Sequence, residues 1–170
     1  MFIETRRLQI RLFEPSDWPS LYTYTSNGHV MKYIPEGTLS EDEAKTFVND
    51  HLGDDAKYFP VVLKAGGAMI GHIVFHPYFG DHTYEIGWVF NPDYHNKGYA
   101  TEAARAILDF GFNKMKLHRI VATCQPQNEP SFRVMEKIGM RREGFFKKCI
   151  PHESEWWDEY YYAILSEEFQ

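Results

Sequence analysis

Three short runs of strand-forming residues follow one another with only tight turns between them, and this arrangement constrains the fold more than any other feature. The runs are Phe59–Lys64, Met69–Phe75 and Thr83–Phe90. Ala65-Gly66-Gly67 and Gly80-Asp81 supply the glycines with which a chain reverses within a few residues. Strands joined this closely pair as antiparallel neighbours, because a parallel connection needs a crossover of about a dozen residues or more. We therefore predict a three-stranded antiparallel meander in the middle of the chain.

Helix and strand patterns alternate on both sides of this meander. Before it, Ser40 and Glu43 match a capping box, so a helix should begin at Glu41 and run to about His51. The remaining predicted elements are a strand over Leu8–Phe13, a short helix that carries Leu21 and Tyr22, a helix over Ala100–Met115, a strand over His118–Gln125, a helix over Pro130–Ile138, and two strands near Glu143–Lys147 and Trp156–Ile164. This order predicts a mixed α/β fold, with too few βαβ units for a doubly wound sheet.

Length and charge limit the classes of function. A chain of 170 residues suits one domain, which we expect to span residues 1–170. Its net charge of −6 argues against nucleic acid as a partner, because binding to a phosphate backbone depends on Lys and Arg. No apolar run approaches the roughly 18–20 residues of a membrane span, and the N-terminus lacks a signal-peptide core. Cys124 and Cys149 show no C-x-x-C spacing and are interpreted as reduced thiols. We expect a cytoplasmic protein without a membrane partner, as a monomer or a homodimer.

The segment HNKGYA, from His95 to Ala100, lies where a strand gives way to a helix. The first N–H groups of a helix point outward at the positive end of its dipole and favour an anion. Gly98 has no Cβ, so a phosphate can approach its backbone closely; Ala100 keeps a second approach nearly as open, and Lys97 adds a charge. The same residues also suit a plain strand-to-helix turn. The spacing alone leaves both interpretations open.

This segment resembles the acyl-CoA pyrophosphate loop of the GNAT superfamily of N-acetyltransferases, whose signature is Q/R-x-x-G-x-G/A between the fourth strand and the following helix. The residues that match the loop and its start of helix are His95, Asn96, Lys97, Gly98, Tyr99, Ala100 and Thr101, with His95 departing from the usual Gln or Arg. The resemblance covers the chain from about Glu85 to Met140. It is strongest to the branch that contains ribosomal-protein N-terminal acetyltransferases.

The resemblance implies a GNAT-like fold, in which a central, mainly antiparallel sheet is flanked by helices and splays between its fourth and fifth strands. These are the strands predicted at Thr83–Phe90 and His118–Gln125. It also implies acetyl-CoA as cosubstrate, with the exposed backbone of Trp88, Val89 and Phe90 pairing with the pantetheine arm. The implied activity is transfer of an acetyl group to a primary amine, on a protein N-terminus or a small molecule, by direct attack in a ternary complex without a metal. The alternative is a non-catalytic CoA-binding regulatory module.

The acceptor amine must lose a proton before it attacks. A lysine-type amine, with a pKa of about 10.4, gives up that proton at neutral pH at a cost on the order of 4–5 kcal/mol, whereas a protein α-amine costs about 1 kcal/mol. Glu85 is the candidate general base, since it lies on the central strand near the expected splay. Histone-type members of the superfamily carry a base glutamate at about this position. A solvated strand carboxylate, or a simple binder of a cationic substrate, fits the sequence equally well.

The leaving thiolate benefits from a proton, and the sequence offers a second candidate group for that step. The branch that the chain resembles carries an N-x-x-S element at the start of the next helix, which here runs from Asn128 to Ser131. Asn128 would bind the pantetheine, and Ser131 would reach the sulfur. Both residues also suit the capping of a helix.

Two other groups of polar residues receive a structural interpretation. His72 and His76 would lie about 13 Å apart on one face of a strand, and we expect satisfied or solvent-facing histidines there and no metal. Glu153, Glu155, Asp158 and Glu159 form an acidic run that we interpret as an ordinary solvated face.

Overall fold

Eight β-strands form a mixed sheet in the computed structural model, which describes residues 1–170. The strands are β1 (Ile3–Glu4), β2 (Leu8–Ile10), β3 (Tyr58–Leu63), β4 (Met69–Pro77), β5 (Thr83–Phe90), β6 (Arg119–Cys124), β7 (Arg141–His152) and β8 (Glu155–Leu165). Their order is β1-β2-β3-β4-β5-β6-β8-β7. β5 and β6 pair in parallel, whereas β1–β2, β2–β3, β3–β4, β6–β8 and β7–β8 are antiparallel. The sheet is therefore mainly antiparallel, as predicted.

Four α-helices accompany the sheet: α1 (Trp18–Thr25), α2 (Glu41–Asp50), α3 (Tyr99–Asp109) and α4 (Glu129–Lys137). The capping box of α2 is present, because Ser40 N donates to the Glu43 carboxylate at 2.7 Å and Glu43 N donates to Ser40 Oγ at 3.3 Å. Beyond α3 the chain continues as a π-helical turn, Phe110–Lys114, where we predicted regular helix. None of the helices combines the length and apolar character that a membrane span requires.

The chain divides into two compact units. The first contains Met1–Phe75 and Trp88–Ile107, and the second contains His76–Gly87 and Leu108–Gln170. The first unit holds α1, α2 and the loop that leads into α3. The second holds the paired strands β6, β7 and β8 and the helix α4.

The core of the first unit lies where α1 and α2 pack on the sheet. Its buried members include Phe13, Leu21, Tyr24, Met31, Ala44, Val48, Val62, Met69 and Val89. A buried histidine, His72, is 4% exposed and shares a 2.8 Å hydrogen bond with the hydroxyl of Tyr24. Burial, assisted by nearby His51, lowers the pKa of His72 to about 3. The interpretation of His72 as a satisfied histidine is therefore confirmed.

The second unit is built around the antiparallel pair β6–β8. Residues alternate along both strands, so one face buries side chains such as Ile120 and Ile164, and the opposite face carries Thr123 and Tyr161 next to the buried Val121–Ala163 pair. The β7–β8 hairpin is longer than predicted and shifts register twice, between Arg142 and Gly144 and between Phe146 and Ile150. β-Bulges of this kind break simple alternation, which explains why the sequence pattern underestimated both strands.

Candidate active site

The start of α3 presents backbone donors toward solvent. The first i to i−4 hydrogen bond of the helix runs from Glu102 N to Gly98 O at 3.0 Å. The N–H groups of Tyr99, Ala100 and Thr101 precede that bond, so the helix itself offers them no partner. Donors in this position, at the positive end of an 11-residue helix, suit an anion such as a phosphate.

The loop before α3 has the backbone that such a cradle needs. Asn96 and Gly98 both adopt left-handed conformations, with φ of +59° and +77°. Asn tolerates this region better than most residues, and Gly has no Cβ to strain it. A Cβ added to Gly98 would meet a guanidinium nitrogen of Arg7 at 3.5 Å. The loop therefore leaves its backbone open at the point where a larger residue would add a side chain.

The side chains of His95 and Lys97 turn back onto the preceding segment. His95 Nε2 donates to the Phe90 carbonyl at 3.0 Å, and Lys97 Nζ donates to the Asp93 carbonyl at 2.9 Å. The Lys97 ammonium also lies 5.4 Å from the centre of the Tyr94 ring. Both side chains thus hold the turn that precedes the loop. The loop positions that we predicted to bind the cosubstrate offer their backbone more directly than these two side chains.

The residues predicted to pair with the pantetheine arm lie at the end of β5. Val89 and Phe90 are only 9% and 6% exposed, so their side chains belong to the core. Gly71 on β4 lies very close to them: a Cβ there would stand 2.5 Å from the Val89 carbonyl oxygen and 2.8 Å from a ring carbon of Phe90. The absence of a side chain at Gly71 therefore allows the end of β5 to take its observed position.

Glu85, the predicted base, lies in the second unit on the polar face of the sheet. The hydroxyl of Thr123 donates to Glu85 Oε1 at 3.2 Å, and His76 Nε2 lies 3.7 Å from Glu85 Oε2. Glu85 is the register partner of Val121, and Thr123 follows two residues later on the same face. The carboxylate is 24% exposed, so a solvent-borne amine can reach it.

Glu159 is a second carboxylate at this site. Its side chain also hydrogen-bonds to Thr123, and Thr123 is the register partner of Tyr161 on β8. Burial and the nearby charge of Glu85 raise the pKa of Glu159, although the Thr123 hydrogen bond opposes them. The interpretation of Glu159 as part of a solvated face is wrong, because the β6–β8 register carries it onto the face that holds Thr123.

Aromatic side chains adjoin the two carboxylates. The ring centres of Tyr78 and Tyr161 lie 6.1 Å apart, and Phe146 approaches Tyr161 edge-on at 5.9 Å. Burial, the Tyr161 hydroxyl and the charges of Glu85 and Glu159 raise the pKa of Tyr78. The next residue along β8, Tyr162, is only 3% exposed and belongs to the core. Two-residue alternation along β8 thus places Tyr161 beside the carboxylates and Tyr162 in the core.

Asn128 and Ser131 lie at the start of α4, as predicted. Asn128 is the N-cap residue, yet its side chain makes no capping hydrogen bond, so the capping interpretation of that side chain is wrong. Ser131 instead hydrogen-bonds to the thiol of Cys124. Burial and the charge of Glu159 raise the pKa of Cys124 to about 12, against the opposing effect of Ser131. The Cys124 thiol therefore stays protonated beside the serine hydroxyl.

The predicted site residues thus fall into two groups. The loop from His95 to Thr101 and the end of β5 belong to the first unit, whereas Glu85, Asn128 and Ser131 belong to the second. Sequence reasoning missed the partners of each group: Arg7 and Glu102 at the loop, and Thr123, Cys124 and Glu159 beside the predicted catalytic residues. A signal existed for Glu159, because two-residue alternation along β8 places it on the same face as Tyr161.

Comparison with known proteins shows the family to which the chain belongs. Residues 7–141 match the acetyltransferase (GNAT) domain. An uncharacterized N-acetyltransferase of Bacillus subtilis (strain 168), YnaD, is 68% identical over 99% of both chains. The crystal structure of a GNAT-family acetyltransferase from Bacillus anthracis has a TM-score of 0.96 and 67% identity, covering 99% of this chain and all of that one.

Two more distant structures share the fold. A spermidine N-acetyltransferase from Vibrio cholerae, solved in complex with CoA and spermine, has a TM-score of 0.81 and 22% identity, over 96% of this chain and 98% of that one. A ribosomal-protein-S5-alanine acetyltransferase from Vibrio fischeri has a TM-score of 0.81 and 23% identity, over 100% of this chain and 99% of that one. The predicted GNAT-like fold is confirmed. The chain belongs to the GNAT family, and it is an acetyl-CoA-dependent N-acetyltransferase.

Proposed function

We propose that the protein acetylates a small primary amine that is protonated at neutral pH, by direct attack of the amine on acetyl-CoA in a ternary complex. The observation that carries this proposal is the hydroxyl of Thr123, which lies between the carboxylates of Glu85 and Glu159. Two partly buried carboxylates attract an ammonium group, and one of them can accept its proton. A protein N-terminus is the alternative acceptor.

Glu85 takes the role of general base. Deprotonating an aliphatic amine at neutral pH costs on the order of 4–5 kcal/mol, so a base accelerates acetylation of such an amine far more than that of a protein N-terminus. The Thr123 hydroxyl orients one oxygen of Glu85, and His76 lies near the other at 3.7 Å. Glu159 adds a second negative charge that holds the ammonium group before it loses its proton.

Acetyl-CoA supplies an activated acetyl group and a thiol leaving group. In our proposal the backbone of the loop, from His95 to Thr101, binds its pyrophosphate. The backbone of Trp88, Val89 and Phe90 hydrogen-bonds to the pantetheine amides, and Asn128 provides a further polar contact to the same arm. The open, left-handed backbone at Gly98 supports the first of these roles.

In our proposal the Ser131 hydroxyl donates a hydrogen bond to the departing sulfur, while Glu85 takes up the proton that leaves the amine. In the free protein this hydroxyl hydrogen-bonds to the Cys124 thiol, a weak partner that it can exchange for the sulfur of CoA. The thiol of CoA resembles cysteine, with a pKa of about 8.5, so it is already a fair leaving group and needs only modest assistance.

The charge of the chain and its distant relatives support a cationic acceptor. A net charge of −6 attracts cations and repels acidic substrates. One structural relative is a spermidine N-acetyltransferase in complex with CoA and spermine, and both polyamines are small cationic amines. Another relative is a ribosomal-protein-S5-alanine acetyltransferase, so the amine panel described below includes a peptide with a free N-terminus.

The test is a thiol-release assay with acetyl-CoA and a panel of amines. The panel contains polyamines, amino acids, aminoglycosides and a peptide with a free N-terminus, and the same mixture without amine gives the background. We expect the fastest release with a small aliphatic amine. If thiol were released only with the peptide, the acceptor would be a protein N-terminus and the small-amine proposal would be overturned. Binding of acetyl-CoA without release from any amine would identify a non-catalytic CoA-binding regulatory module instead.

A further inference from the structure

Arg7 connects the N-terminal segment to the loop that precedes α3, although the two are 90 residues apart in sequence. Its Nη1 donates to the Lys97 carbonyl at 2.9 Å, and its Nε donates to the Glu102 carboxylate at 2.6 Å. The guanidinium carbon lies 4.4 Å from the centre of the Tyr99 ring. One side chain therefore contacts the residue before Gly98, the residue after it and the first turn of α3.

Glu102 is held from the N-terminal segment by three donors. Besides the Arg7 side chain, the backbone N–H of Arg7 donates to Glu102 Oε1 at 3.0 Å and the Thr5 hydroxyl donates to the same oxygen at 2.6 Å. Burial disfavours the ionised carboxyl, but the hydrogen bonds from Thr5 and Arg7 outweigh it and lower the pKa of Glu102. Glu102 is therefore a fixed carboxylate in the first turn of α3.

We infer that Arg7 is a positioning residue for the acetyl-CoA loop: it fixes the backbone of Lys97–Tyr99 in the shape that receives the phosphates and neutralises Glu102 beside them. This inference rests on the proposed binding of acetyl-CoA by that loop. The bond to the Lys97 carbonyl matters most, because that carbonyl belongs to the peptide group whose N–H is that of Gly98. Holding the carbonyl aims the N–H in the opposite direction.

Neutralisation explains why a carboxylate is tolerated at this helix. A negative charge in the first turn stabilises α3 through its dipole, yet the same charge would repel a phosphate bound at that end. The Arg7 guanidinium offsets this repulsion while Glu102 holds the guanidinium in place. Loss of Arg7 should therefore be worse for acetyl-CoA binding than loss of Glu102, since only the first leaves an unpaired anion next to the phosphates.

The experiment compares acetyl-CoA with S-acetylpantetheine, which lacks the phosphates. For Arg7→Gln we expect the calorimetric Kd and the KM for acetyl-CoA to rise at least tenfold, with kcat and the KM for S-acetylpantetheine unchanged. Glu102→Gln should raise the acetyl-CoA Kd by a smaller factor. Arg7→Lys should recover part of the affinity, because an ammonium keeps the charge but cannot bond to both partners as a planar fork does.

Lys64→Gln is the matched control, because it removes one positive charge from the same region. Lys64 Nζ lies 3.4 Å from the Glu4 carboxylate and 3.4 Å from the Thr5 carbonyl, and so contacts the N-terminal segment without touching the loop. Its acetyl-CoA Kd should equal that of the wild type. Amide hydrogen exchange at residues 97–102, measured without ligand, should accelerate in Arg7→Gln and not in Lys64→Gln.

The outcomes separate this inference from the proposed function. If the wild type failed to bind acetyl-CoA, the proposed function itself would fall. If the wild type bound it and Arg7→Gln bound it equally well, the positioning role would be overturned. An equal rise in KM for both acetyl donors would also overturn it, by reducing Arg7 to a general structural role. If Arg7→Gln does not fold, the acetyl-CoA and S-acetylpantetheine measurements are compared in Arg7→Lys and Glu102→Gln instead.

Discussion

The Oγ1 atom of Thr123 lies 3.2 Å from Oε1 of Glu85, and the same hydroxyl is also a hydrogen-bond partner of Glu159. A hydroxyl has one proton and can donate it to one carboxylate at a time. The carboxylate that does not receive this hydrogen bond binds a proton or an ammonium group more readily. The hydroxyl of Thr123 on β6 thus links a carboxylate of β5 with a carboxylate of β8.

Replacing Glu85 by Gln should lower turnover of an aliphatic amine near pH 7, and activity should recover partly at alkaline pH as solvent removes the proton. Turnover measured from pH 6 to pH 10 checks this expectation. Glu155→Gln serves as control, since Glu155 is an exposed carboxylate at the start of β8. An unchanged pH–rate profile in Glu85→Gln would reduce Glu85 to a binding or structural role.

Replacing Glu159 by Gln should stabilise the fold at pH 7 while it lowers turnover. The pKa of Glu159 is raised in the folded state, chiefly by burial, so the folded protein favours the protonated carboxyl. The stabilising effect of that preference is complete below the unfolded pKa of about 4.3 and is lost as the pH rises through the folded pKa. We expect the Tm to rise by about 1–2 °C at pH 7, a modest gain because the group is only partly buried, and to stay unchanged at pH 3.5, where the carboxyl is protonated. A lower Tm at pH 7 would contradict this assignment.

The interaction between the Glu85 and Glu159 carboxylates can be measured by NMR titration of the Glu159 carboxyl carbon. Because the charge of Glu85 raises the pKa of Glu159, Glu85→Gln should lower the pKa of Glu159. A Glu159 titration that Glu85→Gln left unchanged would show that the two carboxylates do not interact.

Gly98→Val should weaken acetyl-CoA binding at least tenfold, equivalent to about 1.4 kcal/mol or more, in a protein that still folds. A β-branched residue resists a φ of +77° and adds bulk where the phosphates approach. Gly66→Val is the control: Gly66 has a φ of +87° with open space around it, in the turn between β3 and β4. It should lose stability but keep its affinity in calorimetry. Unchanged affinity in Gly98→Val would show that the loop does not bind the cosubstrate.

Ser131→Ala should lower turnover roughly 10- to 100-fold with little change in acetyl-CoA affinity, because the hydroxyl acts on the leaving sulfur rather than on the bound ground state. Cys124→Ala removes the partner of this hydroxyl and tests whether the thiol orients it. Thermal unfolding and turnover are measured on the same preparations. Lost stability with intact turnover in Ser131→Ala would remove the serine from the reaction.

Acid should destabilise the first unit through His72. Its pKa falls from 6.5 to about 3 on folding, so the unfolded chain binds a proton that the folded chain refuses. The stability that this neutral histidine provides is complete above pH 6.5 and is lost as the pH falls toward 3, at about 1.4 kcal/mol per pH unit. Denaturant unfolding at pH 7, 6 and 5 measures the slope. His72→Gln cannot titrate and should flatten it; an equally steep slope in that variant would assign the acid sensitivity to other groups.

Local signals in the sequence predicted local structure well. The capping box at Ser40 and Glu43, the strand Thr83–Phe90 and the glycine loop at Gly98 each depend on residues within a few positions of one another. The two-residue strand β1 was missed, because so short a segment shows no periodicity.

The partners of the site residues depend on register and could not be read in the same way. Arg7 donates a hydrogen bond to the carbonyl of Lys97, 90 residues away, and no local sequence pattern predicts that contact. Alternation along β8 could have set Glu159 apart from its acidic neighbours, but the β6–β8 pairing that brings it to Thr123 cannot be read from the local sequence. Charge and alternation can mark such residues as candidates, but strand pairing decides which of them meet.

The protonated state of the two cysteines makes the protein chemically quiet. Burial and nearby carboxylates raise the pKa of Cys124 to about 12 and also raise that of Cys149. Disulfide reagents and alkylating agents react with thiolates, so the buried and protonated Cys124 reacts slowly at pH 8. Free CoA, whose thiol ionises near pH 8.5, reacts far faster. A colorimetric thiol reagent will therefore register the CoA released in each turnover with little interference from Cys124.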